Sequence, residues 1–174
     1  MLKLFFTFLF LFFSAGFVQA KVTDACVKKY IQKPSAIGEG RLKVMLWDVY
    51  DARLYGSQGR FDKNSPFALR LNYLRDIDGA DIVDASVEEM KSLGYKNKVK
   101  LQVWRNEMLR VFPDVKKGDS ISGLNLGKGK VVFCKNGKKI GDVTDADFAA
   151  AFFDIWLSPK TSEPSLRKKL LGMK

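Results

Sequence analysis

The stretch that most constrains the fold of this 174-residue chain is residues 38–56, G-E-G-R-L-K-V-M-L-W-D-V-Y-D-A-R-L-Y-G. Side chains alternate faces along a strand. One row is therefore Leu42, Val44, Leu46, Asp48, Tyr50, Ala52 and Leu54, apolar but for Asp48 and expected to face a core. The other row, from Arg41 and Lys43 through Trp47 and Val49 to Arg53 and Tyr55, is mixed and meets water at its charged members. At ~3.3 Å per residue the stretch would run to roughly 60 Å as one straight strand, beyond the usual length. It must bend, bulge or fold back, and W-D-V-Y-D is the expected place.

The rest of the chain supplies partners for this system. Pro66 introduces a half-buried strand in which Phe67, Leu69, Leu71 and Tyr73 alternate with Ala68, Arg70 and Asn72. A short connection to the preceding strands makes the pairing antiparallel. From Asp78 the period becomes helical, with Ile82, Val83, Val87, Met90 and Leu93 on one stripe closed by Gly94. A second helix starts near Asn97, carries Leu101, Trp104, Met108 and Val111 on one face, and stops at Pro113. Strand signals return at 120–126, 131–134 and 139–143, with Asn136-Gly137 as a two-residue hairpin turn. Thr144 with Asp147 three residues on marks the start of a helix through Phe148, Phe152 and Ile155, and residues 165–171 form a short basic helix. The lead-in at 21–34 reads as extended or partly helical. The G-K-G-K at 127–130 lies between strands and lacks phosphate-loop spacing, so it is a turn. This order predicts an α+β domain in which helices pack on one face of an open antiparallel sheet.

Residues 1–20 have the form of a signal peptide: Lys3, an apolar run from Leu4 to Phe13, and small residues leading to Ala20. The apolar run is shorter than the ~20 residues a spanning helix needs. The expected organisation is thus a signal peptide at 1–20, cleaved after Ala20, and one domain at 21–174 in the periplasm. An even count of two cysteines, Cys26 and Cys134, leaves two readings there, one disulfide or two buried thiols. The net charge of +11 favours acidic surfaces. Its lysines are dispersed instead of forming one basic arm, so an anionic lipid surface, or simple solubility, fits an exported protein better than nucleic acid. Histidine is absent, which removes Ser-His-Asp and Cys-His nucleophilic triads and the commonest metal ligand. No metal and no cofactor is expected.

Several motifs resemble the exported bacterial branch of the chalcone isomerase-like family: G-E-G-R-L-K with D-V-Y-D-A-R-L-Y, N-Y-L-R-D-I at 72–77, F-P-D-V-K-K-G-D at 112–119, N-G-K-K-I-G at 136–141, and A-F-F-D-I-W-L-S-P-K-T-S at 151–162. The resemblance covers essentially the whole of 21–174. It implies an open-faced sandwich with a cleft between sheet and helices. Plant chalcone isomerases close a flavanone ring with an arginine, a strand threonine, and a tyrosine, lysine and asparagine around that cleft. Carried over, the threonine falls at Tyr50, the asparagine near Ala85 and the arginine close to Gly38, while Thr161 sits in a shared S-P-x-T turn. Noncatalytic members of the family bind fatty acids in the same cleft.

Three functions follow as expectations. The leading one is an exported, noncatalytic binder of a small lipophilic or amphipathic molecule, fatty-acid-like or phenolic. Asp48, Tyr50, Arg41, Trp104 and Thr161 are its candidate ligand-binding residues, because a pocket needs apolar lining and a few convergent polar groups. Asp48 has a structural alternative, satisfying backbone groups at a bulge, and Arg41 a solvated one. The second is an isomerase or lyase of phenolic compounds with Tyr50 as proton handler. The third is an interaction module with a basic surface.

Overall fold

In the computed structural model, which describes residues 24–173, the chain folds back within 38–56, but at Met45-Leu46. β1 (Pro34–Val44) and β2 (Trp47–Ser57) pair antiparallel across that turn. Met45 adopts φ +54°, a left-handed conformation usually given to Gly or Asn. The expected bulge falls in W-D-V-Y-D as well: Leu42 opposes Tyr50 and Lys43 opposes Asp48, so Val49 is the extra residue. The skipped residue reverses the parity of everything before it on β2. Tyr50, Ala52 and Leu54 keep the covered face, whereas Asp48 joins Arg41 and Asp51 on the other one. The expectation that Asp48 interrupts a core-facing row is corrected by this single residue.

β3 (Phe67–Tyr73), β4 (Ser120–Asn125), β5 (Lys130–Lys135) and β6 (Lys138–Thr144) extend the pair into a six-stranded sheet in sequence order, antiparallel throughout. Asn136 and Gly137 both take positive φ in the β5–β6 turn, as the dipeptide announced. Between β3 and β4 run α2 (Gly79–Ser92) and α3 (Lys98–Val111); after β6 come α4 (Ala146–Leu157) and α5 (Pro164–Leu170). α2 closes at Gly94, φ +101°, and α3 is capped by Asn97, whose Oδ1 accepts the Lys100 N–H at 3.0 Å. α4 is capped by Asp145, not Thr144: its carboxylate accepts the N–H groups of Asp147 and Phe148.

These four helices cover one face of the sheet. The core between them holds Phe112, Phe133, Phe148, Phe152 and Phe153, mostly edge-on to one another. Gly123 admits them, since a Cβ there would stand 3.2 Å from the Phe152 ring. The α5 backbone lies so close to β1 that a Cβ on Gly38 would stand 2.0 Å from the Lys169 carbonyl oxygen.

The opposite face is partly closed by α1 (Ala25–Tyr30), which buries Cys26, Val27 and Ile31 against Tyr55, Ala68, Leu124 and Val132. Asp24, its N-cap, is itself buried: it accepts the Cys26 and Val27 N–H groups and the Ser122 hydroxyl at 2.6 Å, with Arg70 Nε 3.8 Å away. Cys26 and Cys134 meet here at disulfide distance, their Cα atoms 6.5 Å apart. No helix among the described residues is long and apolar enough to cross a membrane. The signal-peptide reading of 1–20 lies outside the described residues.

Candidate ligand-binding cavity

A cavity of about 290 Å³ opens between the β1–β3 side of the sheet and helices α2 and α4. The sheet contributes Leu42, Val44, Val49, Tyr50, Leu71, Tyr73 and Ile121; α2 gives Ile82, Ala85 and Ser86; α4 gives Phe152, Ile155 and Trp156. Ile77 and Phe112 complete the apolar wall, and Asp81, Glu89, Ser162 and Glu163 also line it. The bulge helps to make this wall, because it sets Val49 and Tyr50 into the cavity together.

The deep polar feature is a pair of tyrosines. The Trp156 indole N–H donates to Tyr50 Oη at 2.8 Å, tying α4 to β2 inside the core. The Tyr73 ring stands edge-on to Tyr50 with centroids 6.0 Å apart. Burial pushes the Tyr50 hydroxyl far above the ordinary tyrosine value, against the lowering effect of the indole bond, and Glu163 and Glu89 add to the rise. Burial, then the neighbouring Tyr50, does the same to Tyr73. Both hydroxyls are therefore neutral donors and acceptors, not bases. At the exposed side Ser162 donates to Glu89 at 2.7 Å, joining the loop after α4 to α2.

Of the five residues expected to bind ligand, Tyr50 alone lines this cavity. Arg41 and Asp48 form an exposed ion cluster on the other side of the hairpin: Arg41 reaches Asp51 at 2.6 Å and Asp48 at 2.7 Å, and Lys43 approaches Asp48 at 3.2 Å. Lys43, with Arg41, holds the Asp48 carboxyl below the usual range. Trp104 is buried elsewhere, donating to the α4 cap Asp145 at 3.0 Å and bordering a separate shallow pocket with Tyr95 and Lys100. Thr161 is buried behind the rim: its hydroxyl donates to the Ile155 carbonyl at 2.6 Å and accepts the Glu163 N–H at 3.2 Å, so it holds Ser162 and Glu163 in place without facing the cavity.

Sequence reasoning missed Asp81, Glu89, Glu163 and Trp156. The available signal was the i, i+4 spacing of Asp81, Ala85 and Glu89, which puts them on one α2 face beside the apolar stripe. Tyr50 and Ala85, where the plant threonine and asparagine carry over, both line the cavity. Gly38, near the carried-over arginine, is packed under α5.

The fold is shared with known structures. A crystal structure of a fatty-acid binding protein from Arabidopsis thaliana superposes with a TM-score of 0.61 at 13% identity, covering 80% of this chain and 87% of that one. An uncharacterized protein of Haemophilus influenzae is 30% identical over 125 residues, 71% of this chain; the chain spans 61% of that relative's length. The description of chalcone isomerase-like proteins matches residues 37–172. By that match, which takes in β1 from Ile37, β2 to β6 and α2 to α5, the chain belongs to the chalcone isomerase-like family.

Proposed function

We propose that this protein is an exported, noncatalytic carrier that holds one small lipophilic molecule, fatty-acid-like or phenolic, in the cavity between sheet and helices. The observation that carries the reading is the apolar wall closed over a small number of polar groups, the usual composition of a ligand site. Family membership and a structural neighbour titled as a fatty-acid binding protein support it. Ring-closing catalysis would need a base and a cation for the oxyanion. Among the described residues the cavity wall offers carboxylates but no lysine or arginine to hold the oxyanion. Native mass spectrometry of protein recovered from the periplasm should show a mass adduct of one ligand per chain, on a polypeptide beginning at Lys21. An empty protein that accelerates chalcone cyclisation would overturn the reading in favour of an isomerase.

A further inference from the structure

We infer that the cavity takes an amphiphile with a neutral hydrogen-bonding head, an alcohol, phenol or carbonyl oxygen, and discriminates against carboxylates. The inference rests on the carrier reading and narrows it: of the two ligand classes named there, it favours the phenol-like one over a free fatty acid, whose head is a carboxylate at neutral pH. Among the described residues every charged one lining the cavity is acidic: Asp81, Glu89 and Glu163. A carboxylate entering here would lose its water without gaining a counter-charge, an unfavourable exchange for any ion.

What the cavity does offer is neutral. Tyr50 Oη already accepts the Trp156 N–H at 2.8 Å, so its own proton is left to donate, and no described residue accepts it. Tyr73 lines the same space at 3% exposure, and its hydroxyl makes no hydrogen bond to any described residue. Two neutral hydroxyls bordering the cavity suit a ligand oxygen that accepts from them, which an alcohol, phenol or carbonyl oxygen does. The cavity volume of about 290 Å³ limits the buried portion to a small molecule or one end of a larger one.

The test displaces a neutral fluorescent probe, phenylnaphthylamine, from the mature protein at neutral pH with decanol, decanoate and decylamine, which share one tail length. Decanol should displace the probe. Decylamine, as charged as decanoate but opposite in sign, should act at a concentration at least about tenfold lower than decanoate, a gap of ~1.4 kcal/mol. The substitutions Glu89→Gln and Glu163→Gln, separately and together, should narrow that gap. Tyr73→Phe should weaken decanol, with an unchanged circular dichroism spectrum showing that the variant is folded. Decanoate binding as well as or better than decylamine would overturn the head-group inference while leaving the carrier reading standing. Failure of the protein to bind the probe or any of the three would overturn the carrier reading itself.

Discussion

Tyr50→Phe tests how the cavity is held open at its deep end. The substitution deletes one oxygen and keeps the ring, so packing against Tyr73 persists. The N–H of Trp156, a residue 7% exposed, lies 2.8 Å from that oxygen and then has no acceptor. A buried donor stripped of its partner costs about 1–3 kcal/mol. The urea dependence of small proteins is roughly 1–3 kcal/mol per molar, so a loss near ~2 kcal/mol lowers the unfolding midpoint by about 1 M with an unchanged slope. Trp156→Phe removes the same bond and also leaves a void, so it should cost more. The double variant isolates the bond, with an expected coupling of about 0.5–1.5 kcal/mol. Urea titrations followed by circular dichroism supply all four corners. A Tyr50→Phe midpoint equal to or above that of the parent would refute the reasoning, because the indole would then be satisfied without the tyrosine.

Asp24→Ala removes the α1 cap, the acceptor of the Ser122 hydroxyl and the anion near Arg70 together, so a loss of about 3 kcal/mol is expected in thermal unfolding. A loss within the range of an isolated cap would mean that the Ser122 and Arg70 contacts contribute nothing. Asp48→Asn should leave both the urea midpoint and probe binding at parental values, since Arg41 retains Asp51 and the site is exposed; changed ligand uptake would contradict the placement of Asp48 outside the cavity. Asp119 is held down to about 2 by the Asn136 side chain, the Lys116 N–H and Lys135. A carboxyl lower in the folded than in the unfolded state gives stability that is complete above pH ~4 and lost as pH falls toward about 2. Asp119→Asn should flatten that limb of a stability profile, and an unchanged limb would assign acid sensitivity elsewhere.

The periodic parts of the chain were legible because periodicity is what burial imposes. The strands at 67–73 and 131–134, the Asn136-Gly137 turn and the helices before Gly94 and Pro113 all carry the residues their geometry demands. The central hairpin was not legible, since Met45-Leu46 carries none of the usual turn residues. Without that turn, and with Val49 unrecognised as the bulged residue, Asp48 was assigned to the wrong face. Tyr50 was found because it stands after the bulge, where parity holds. Trp104 could not be told from a cavity residue by spacing, for its fate depends on Asp145, 41 residues away. The acids Asp81 and Glu89 look like any solvated helix face until β1 and the 162–163 loop are placed opposite them.

The seat of α5 on β1 has a consequence for the order in which the protein can be made. Most strand pairings in this sheet join neighbours in sequence and can form early, but Gly38 is covered by the Lys169 and Leu170 carbonyls, about 130 residues later. Closure over that span is entropically slow and cannot begin during synthesis until α5 has left the ribosome. Until then the covered side of β1 lacks Leu166 and Leu170, both fully packed in the finished protein. A nascent chain of this design stays incompletely folded until its last helix has emerged and docked.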